Sequence, residues 1–166
     1  ILPKVAAKSV SWGGSMTFVG TGLYDHLRDH KGCKVLDTYE KSLSNDEKMQ
    51  LRREALLTDL FITGTNAVTE DGCLVNLDMI GNRVGALTFG PKNVLVLTGR
   101  NKIVPDLEAA MDRIKTYVAP ANVMRLDMKT AASRQRGCDG PRAASAASTW
   151  RSVSARVPPL SITTVA

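Results

Sequence analysis

Asn93-Val94-Leu95-Val96-Leu97-Thr98-Gly99-Arg100-Asn101-Lys102-Ile103-Val104-Pro105 is the stretch that decides the fold. Two valines alternate with two leucines between Asn93 and Thr98, and no charge interrupts them. A strand with one face in water alternates polar and apolar side chains, whereas a strand covered on both faces does not. The run therefore predicts a buried strand, central in a sheet with helices on either side. Leu107, Ala110, Met111, Ile114 and Val118 follow at helical spacing, with Asp106 and Glu108 in the first turn and Pro105 expected at or near the first helical position.

The same alternation of strand and helix extends outward from this stretch. Leu60-Phe61-Ile62-Thr63 is a second strand apolar on both faces, preceded by a helix to about residue 57 that starts at a capping box, Ser44 with Glu47. Lys8-Ser9-Val10-Ser11-Trp12 reads as a strand running into the glycine loop Gly13-Gly14-Ser15-Met16-Thr17. Val19, Leu23 and Leu27 then predict one helix stopped by Gly32, and Lys34-Val35-Leu36-Asp37 a further strand. Asp71-Gly72 marks a tight turn leading back through Cys73-Leu74-Val75-Asn76-Leu77, and Gly81-Asn82-Arg83-Val84-Gly85 reads as a polar loop. Val123-Met124-Arg125-Leu126 is expected to add a strand. Strands alternating with amphipathic helices imply an α/β fold with a mainly parallel sheet flanked by helices.

At 166 residues, 43% hydrophobic and 23% charged, the chain fits one globular domain. That α/β domain is expected over residues 1–130. From 131 to 166 an arm rich in Ala, Ser and Arg lacks the large apolar groups of a core; 131–156 is expected as irregular or extended, lying on the body or on a partner subunit of a homo-oligomer. Ile162-Thr163-Thr164-Val165 is expected to be a final edge strand. No apolar run approaches the roughly 18 residues of a membrane-spanning helix, so no membrane span is expected.

Of the net charge of +6, five charges fall from Lys129 onward, with Trp150 the one stacking side chain there, a distribution that argues against a nucleic-acid partner. Cys33, Cys73 and Cys138 form no pair and no metal spacing, so reduced thiols and a cytoplasmic protein are expected, with structural roles for the first two. The chain opens Ile1-Leu2-Pro3-Lys4 without a targeting pattern, and a preceding segment is expected.

Several loops carry groups suited to binding. Gly13, Gly14, Ser15 and Thr17 lie between a strand's carboxyl end and a helix's amino end, where free N–H groups favour phosphate, carboxylate or the pyrophosphate of a coenzyme A. The bland alternative is a turn needing glycine for its backbone. Thr65, Asn66 and Glu70 follow the strand at 60–63: Asn66 could orient a carboxylate or close an Asx turn, and Glu70 could be nucleophile or general base, or a solvated hairpin tip. Asn82 and Arg83 offer a planar two-pronged donor for an anion, with a structural salt bridge as the rival. Lys102 stands beside Arg100 and Asn101 beyond the strand at 93–98, as a binder or a solvated surface group. His26 and His30 are four apart but lie among Asp25, Arg28 and Asp29, so a solvated helix face is expected and no metal site.

Four stretches together resemble the LUD domain family of lactate-utilisation proteins: Trp12-Gly13-Gly14-Ser15-Met16-Thr17; Thr63-Gly64-Thr65-Asn66-Ala67-Val68-Thr69-Glu70-Asp71-Gly72; Gly81-Asn82-Arg83-Val84 with Phe89-Gly90-Pro91-Lys92; and Gly99-Arg100-Asn101-Lys102-Ile103-Val104-Pro105. The resemblance covers about residues 4–129. It implies a three-layer fold related to ribose-5-phosphate isomerase, glucosamine-6-phosphate deaminase and the CoA-transferases, the last of which use a glutamate in the role considered for Glu70. It also implies a Cys-bearing segment after Thr130, where Ala131, Ala132, Ala146 and Ala147 stand and Cys138 alone remains.

Three readings of function follow. The first is a protein of lactate or organic-acid utilisation that binds an anionic metabolite, a carboxylate or phosphate, or serves as an accessory subunit beside iron–sulfur or flavin redox partners. The second is an isomerase or CoA-transferase-like enzyme acting through Glu70. The third is a non-enzymatic assembly or regulatory module. No resident cofactor is specified by any motif. The first two readings share one geometric expectation, that the turns beginning at Gly13, Gly64 and Gly81 lie along one rim of the sheet.

Overall fold

A computed structural model describes residues 5–126 and the strands at 151–155 and 162–165. These residues form two compact units, one built from residues 5–65, 80–101 and 162–165, the other from 66–79, 102–126 and 151–155. The domain boundary expected at residue 130, Cys138 and the alanines at 131, 132, 146 and 147 lie outside the described residues.

The first unit holds a fully parallel sheet. Its strands are β1 (Ser9–Trp12), β2 (Lys34–Leu36), β3 (Leu60–Gly64), β6 (Asn93–Gly99) and β9 (Ile162–Val165), in the order β2-β1-β3-β6-β9. The apolar stretch at 94–97 lies in β6, between β3 and the edge strand β9, and both of its faces are covered as its composition requires. On one face Val10, Trp12, Leu60, Ile62, Leu95 and Leu97 pack with Phe18 and Leu27 from helices α1 (Met16–Gly20) and α2 (Leu23–Arg28). On the other, Phe61 and Val94 pack with Ala55 and Leu56 from the turn after α3 (Asn45–Glu54), and with Ala86 from α4 (Asn82–Thr88). The fold class is α/β, a parallel sheet between helical layers.

The second unit is a smaller mixed sheet in the order β7-β4-β5-β8: β4 (Ala67–Thr69), β5 (Leu74–Asp78), β7 (Ile103–Val104) and β8 (Arg151–Ala155). The Asp71-Gly72 turn closes the antiparallel β4–β5 hairpin, with Gly72 at φ +89°. Ala67 and Val75 pack on Ala110 of α5 (Leu107–Arg113) and on Ile114 of the π turn that follows.

Several expectations need correction. The helix expected from Val19 to Gly32 is two helices, because Gly22 at φ +73° turns the chain between them. The expected loop at 81–85 is α4: Gly81 supplies a left-handed N-cap at φ +92°, and Gly85, which costs a helix about 1 kcal/mol relative to Ala, brings the helix against Leu56. The expected strand at 123–126 belongs to helix α6 (Ala119–Arg125). There the wide π turn Ile114–Val118 shifts the carbonyl register just ahead of Pro120, which has no N–H to contribute and would otherwise break the helix. Pro105 stands one place before the N-cap, Asp106, whose carboxylate accepts from Ala109 N at 2.8 Å. Within the arm expected to be irregular or extended, β8 pairs antiparallel with β5. The capping box expected at Ser44 and Glu47 forms.

Candidate functional site

In the order β2-β1-β3-β6 the chain leaves β1 for β2 on one side and resumes at β3 on the other. Connections thus diverge at the carboxyl ends of β1 and β3. In open α/β sheets this divergence leaves a crevice above the strand ends, the position where such sheets hold ligands. The residues that emerge there are Gly13, Gly14 and Ser15 after β1, and Thr65 after Gly64 of β3.

Two glycines set the distances. Gly13 donates its N–H to Ile62 O at 2.9 Å, which draws the turn onto β3. A Cβ on Gly13 would lie 2.6 Å from Arg83 Cγ and 3.2 Å from Thr63 Oγ1, so the Arg83 stem, rising from the first turn of α4, occupies the volume of a side chain that Gly13 lacks. A Cβ on Gly64 would lie 2.6 Å from Ser15 Oγ. The turn after β1, the end of β3 and the start of α4 therefore meet, with Asn82 beside Arg83 in the last of these. Ser15, Thr63 and Thr65 are buried, while Gly14 is exposed with open space where a side chain would stand.

A third loop, after β2, completes the edge and had not been singled out from sequence. The Tyr39 hydroxyl donates to Gly13 O at 2.9 Å and accepts from Ser15 N at 2.9 Å, bracketing Gly14. Asp37 anchors this loop: Oδ1 accepts from Tyr39 N (2.8 Å) and Trp12 Nε1 (3.2 Å), and Oδ2 from the Tyr24 hydroxyl (3.0 Å). Burial, reinforced by the bonded Asp37, pushes the Tyr24 hydroxyl up from its ordinary value, so it remains protonated and donating. Thr38 Oγ1 adds a 2.7 Å bond to Trp12 O. Asp37-Thr38-Tyr39 directly follows a strand parallel to β1, and that position was the available signal.

A family model described as the LUD domain matches residues 1–142. The chain belongs to the LUD domain family. That membership relates it to lactate-utilisation proteins. No curated protein matches the sequence.

Helix α1 has five residues, and Ser15 Oγ, as its N-cap, accepts from Phe18 N at 3.2 Å. Thr17 lies inside α1 and is half-buried. Three other residues considered for binding or catalysis belong to the second unit. Asn66 Oδ1 accepts from Leu77 N at 2.7 Å and its carbonyl from Arg113 Nε at 3.3 Å, so its side chain secures the start of the hairpin. Glu70 is exposed at the hairpin turn, where its N–H donates to Val104 O at 3.0 Å. Lys102 is half-buried in the turn Arg100–Lys102.

The imidazoles of His26 and His30 stand 6.1 Å apart between centroids, beside the Arg28–Asp29 ion pair. Among the described residues no group of three metal-ligating side chains comes together. Cys33 and Cys73 are free thiols, and burial pushes Cys33 up from its ordinary value, which favours its protonated form.

Proposed function

We propose that this LUD domain binds a small anionic metabolite, a carboxylate or a phosphate, at the carboxyl edge of its parallel sheet. The observation that carries the reading is the meeting of Gly13, Ser15, Thr63 and Arg83 where β1 and β3 diverge. Two side-chain-free positions there admit hydroxyls and a guanidinium stem to one small volume, and an Arg at such an edge matches the planar or tetrahedral oxygens of an anion. Ser15, Thr65, Asn82 and Arg83 supply the polar groups, and Gly14 leaves the approach open. LUD family membership supports lactate or a related organic acid as the metabolite class, and with it a role beside iron–sulfur or flavin redox subunits.

Thermal melting in L-lactate, inorganic phosphate and chloride at equal ionic strength tests this reading. A ligand at 100 times its dissociation constant stabilises the folded state by about 2.7 kcal/mol. The native protein is expected to melt higher with lactate or phosphate than with chloride, and Arg83→Ala to lose that increment. Equal melting in all three salts, or an increment kept in Arg83→Ala, sinks the proposal.

A further inference from the structure

Leu57 and Phe89 are the two most exposed large apolar side chains among the described residues, 84% and 90% open to water. Each sits in the short connection from a helix to the next strand, Leu57 between α3 and β3 and Phe89 between α4 and β6, so both stand at the amino edge of the parallel sheet. The two connections run side by side. A Cβ on Gly90, itself at φ +141°, would lie 2.9 Å from Leu56 O, and Lys92 N donates to Thr58 O at 3.3 Å. A single exposed apolar side chain is ordinary, but two on adjoining, hydrogen-bonded turns make a patch. Cations stand along the same edge. Lys8 and Lys34 lie at the starts of β1 and β2, Arg52 and Arg53 in the last turn of α3, and Lys92 just before β6. Lys92 pairs with Asp59, which leaves Glu54 as the acid facing the other four.

We propose that this edge docks on an anionic lipid bilayer, with Leu57 and Phe89 entering the boundary between headgroups and acyl chains while Lys8, Lys34 and Arg53 stay among the charged headgroups. Side chains that meet a protein partner line a groove whose walls cover part of each of them. Near-complete exposure of both leaves no wall on either, and a continuous apolar phase accepts such projecting groups without one. Charge then selects the surface. Clustered Lys and Arg are drawn to anionic lipid, and because the attraction fades within a Debye length the contact depends on salt. The turns are already fixed, since Asp59 accepts from Lys8 N and Ser9 N at one strand start and from Lys92 Nζ at another, so insertion requires little ordering of the chain. The surface lies at the edge opposite the proposed anion crevice and stands independently of it.

Co-sedimentation of the full chain with vesicles tests this, using phosphatidylcholine alone and phosphatidylcholine mixed with phosphatidylserine. The native chain is expected to sediment with the mixed vesicles, to be released by high salt and to leave the phosphatidylcholine vesicles largely bare. Leu57→Ser and Phe89→Ser are each expected to weaken partitioning by roughly tenfold, the scale of withdrawing one large apolar side chain. Their melting should match that of the native chain, because side chains so exposed support little of the fold. Lys8→Gln combined with Lys34→Gln is expected to weaken partitioning at low salt and to change it little at high salt. In Phe89→Trp, which keeps an apolar ring, indole emission should move to the blue on adding mixed vesicles by more than in the native chain. Failure of the native chain to sediment with mixed vesicles overturns the inference. So does binding left unchanged by both serine variants, which would make charge its sole cause. A dimer that dissociates in Phe89→Ser, formed by a native chain that ignores both kinds of vesicle, overturns it as well and assigns the face to a second copy.

Discussion

Asp59 and Tyr39 stand at opposite edges of the same parallel sheet, and each ties the ends of strands together by different means. At the amino edge, Asp59 Oδ2 accepts from Lys8 N, Ser9 N and Ser9 Oγ at 3.0 to 3.1 Å, while Oδ1 accepts from Lys92 Nζ at 2.7 Å. One carboxylate thereby joins the starts of β1, β3 and β6, and every bond is between groups of the fold itself. At the carboxyl edge the corresponding joint is made by a neutral hydroxyl and two glycines, with Ser15 and the Arg83 stem admitted to the space. The amino edge is closed by charge. The carboxyl edge is shaped, and its Gly14 is left open.

The largest effect that would sharpen the contrast comes from Trp12, fully buried beneath the carboxyl edge and ringed by Phe18, Tyr24 and Tyr39. Trp12→Ala is expected to cost about 3–5 kcal/mol in urea unfolding, through the cavity and through the donor removed from Asp37. A loss below about 1.5 kcal/mol would mean that the shaped edge does not rest on a rigid floor.

The sheet was legible because burial on both faces leaves a compositional mark: Val94 to Leu97 and Leu60 to Ile62 carry no charge, and no half-exposed strand would look the same. The capping box at Ser44 was legible because both of its bonds are local. What escaped was set by tertiary contact. Gly81 and Gly85 read as a loop, yet their lack of side chains is what lets α4 begin in a left-handed cap and press on Leu56. Tyr39 escaped for a related reason. The residue types at positions 37 to 39 do not show that the β2 loop reaches across to bracket Gly14, 25 positions earlier in the chain; only their place directly after a strand parallel to β1 points to it. The glycines at 13 and 64 were recognisable as turn formers, but the side chains that fill their missing volume, Arg83 and Ser15, are visible only once the strands are aligned.

Glycine substitutions at the carboxyl edge should separate shape from openness. Gly64→Ala drives a methyl group to 2.6 Å from Ser15 Oγ and 3.2 Å from its Cβ, with Leu97 O behind at 3.5 Å. Overpacking of this kind costs about 1–3 kcal/mol, and displacing Ser15 should also abolish the rise in melting with lactate or phosphate. Gly14→Ala meets nothing within 4 Å and is expected to fold as well as the native chain while weakening anion binding, because the methyl group stands in the approach. If both variants lose stability alike, Gly14 is structural and the edge is no more open than the other.

The smallest effect is at the amino edge, and it appears as a dependence on pH. The Lys92 ammonium, followed by the backbone N–H groups and Ser9, holds the Asp59 carboxyl at about 2, below its ordinary 3.8. A depressed folded-state value means that the unfolded chain takes up the proton more readily. The stabilisation is therefore fully present above pH ~4 and is lost as the pH falls toward 2. Asp59→Asn should flatten that part of the stability curve while leaving lactate or phosphate binding at neutral pH unchanged. Lys92 is 78% exposed, so Lys92→Ala should flatten the same window less and only at low salt, where screening is weak. Acid sensitivity that persists undiminished in Asp59→Asn would move the responsible carboxylate elsewhere.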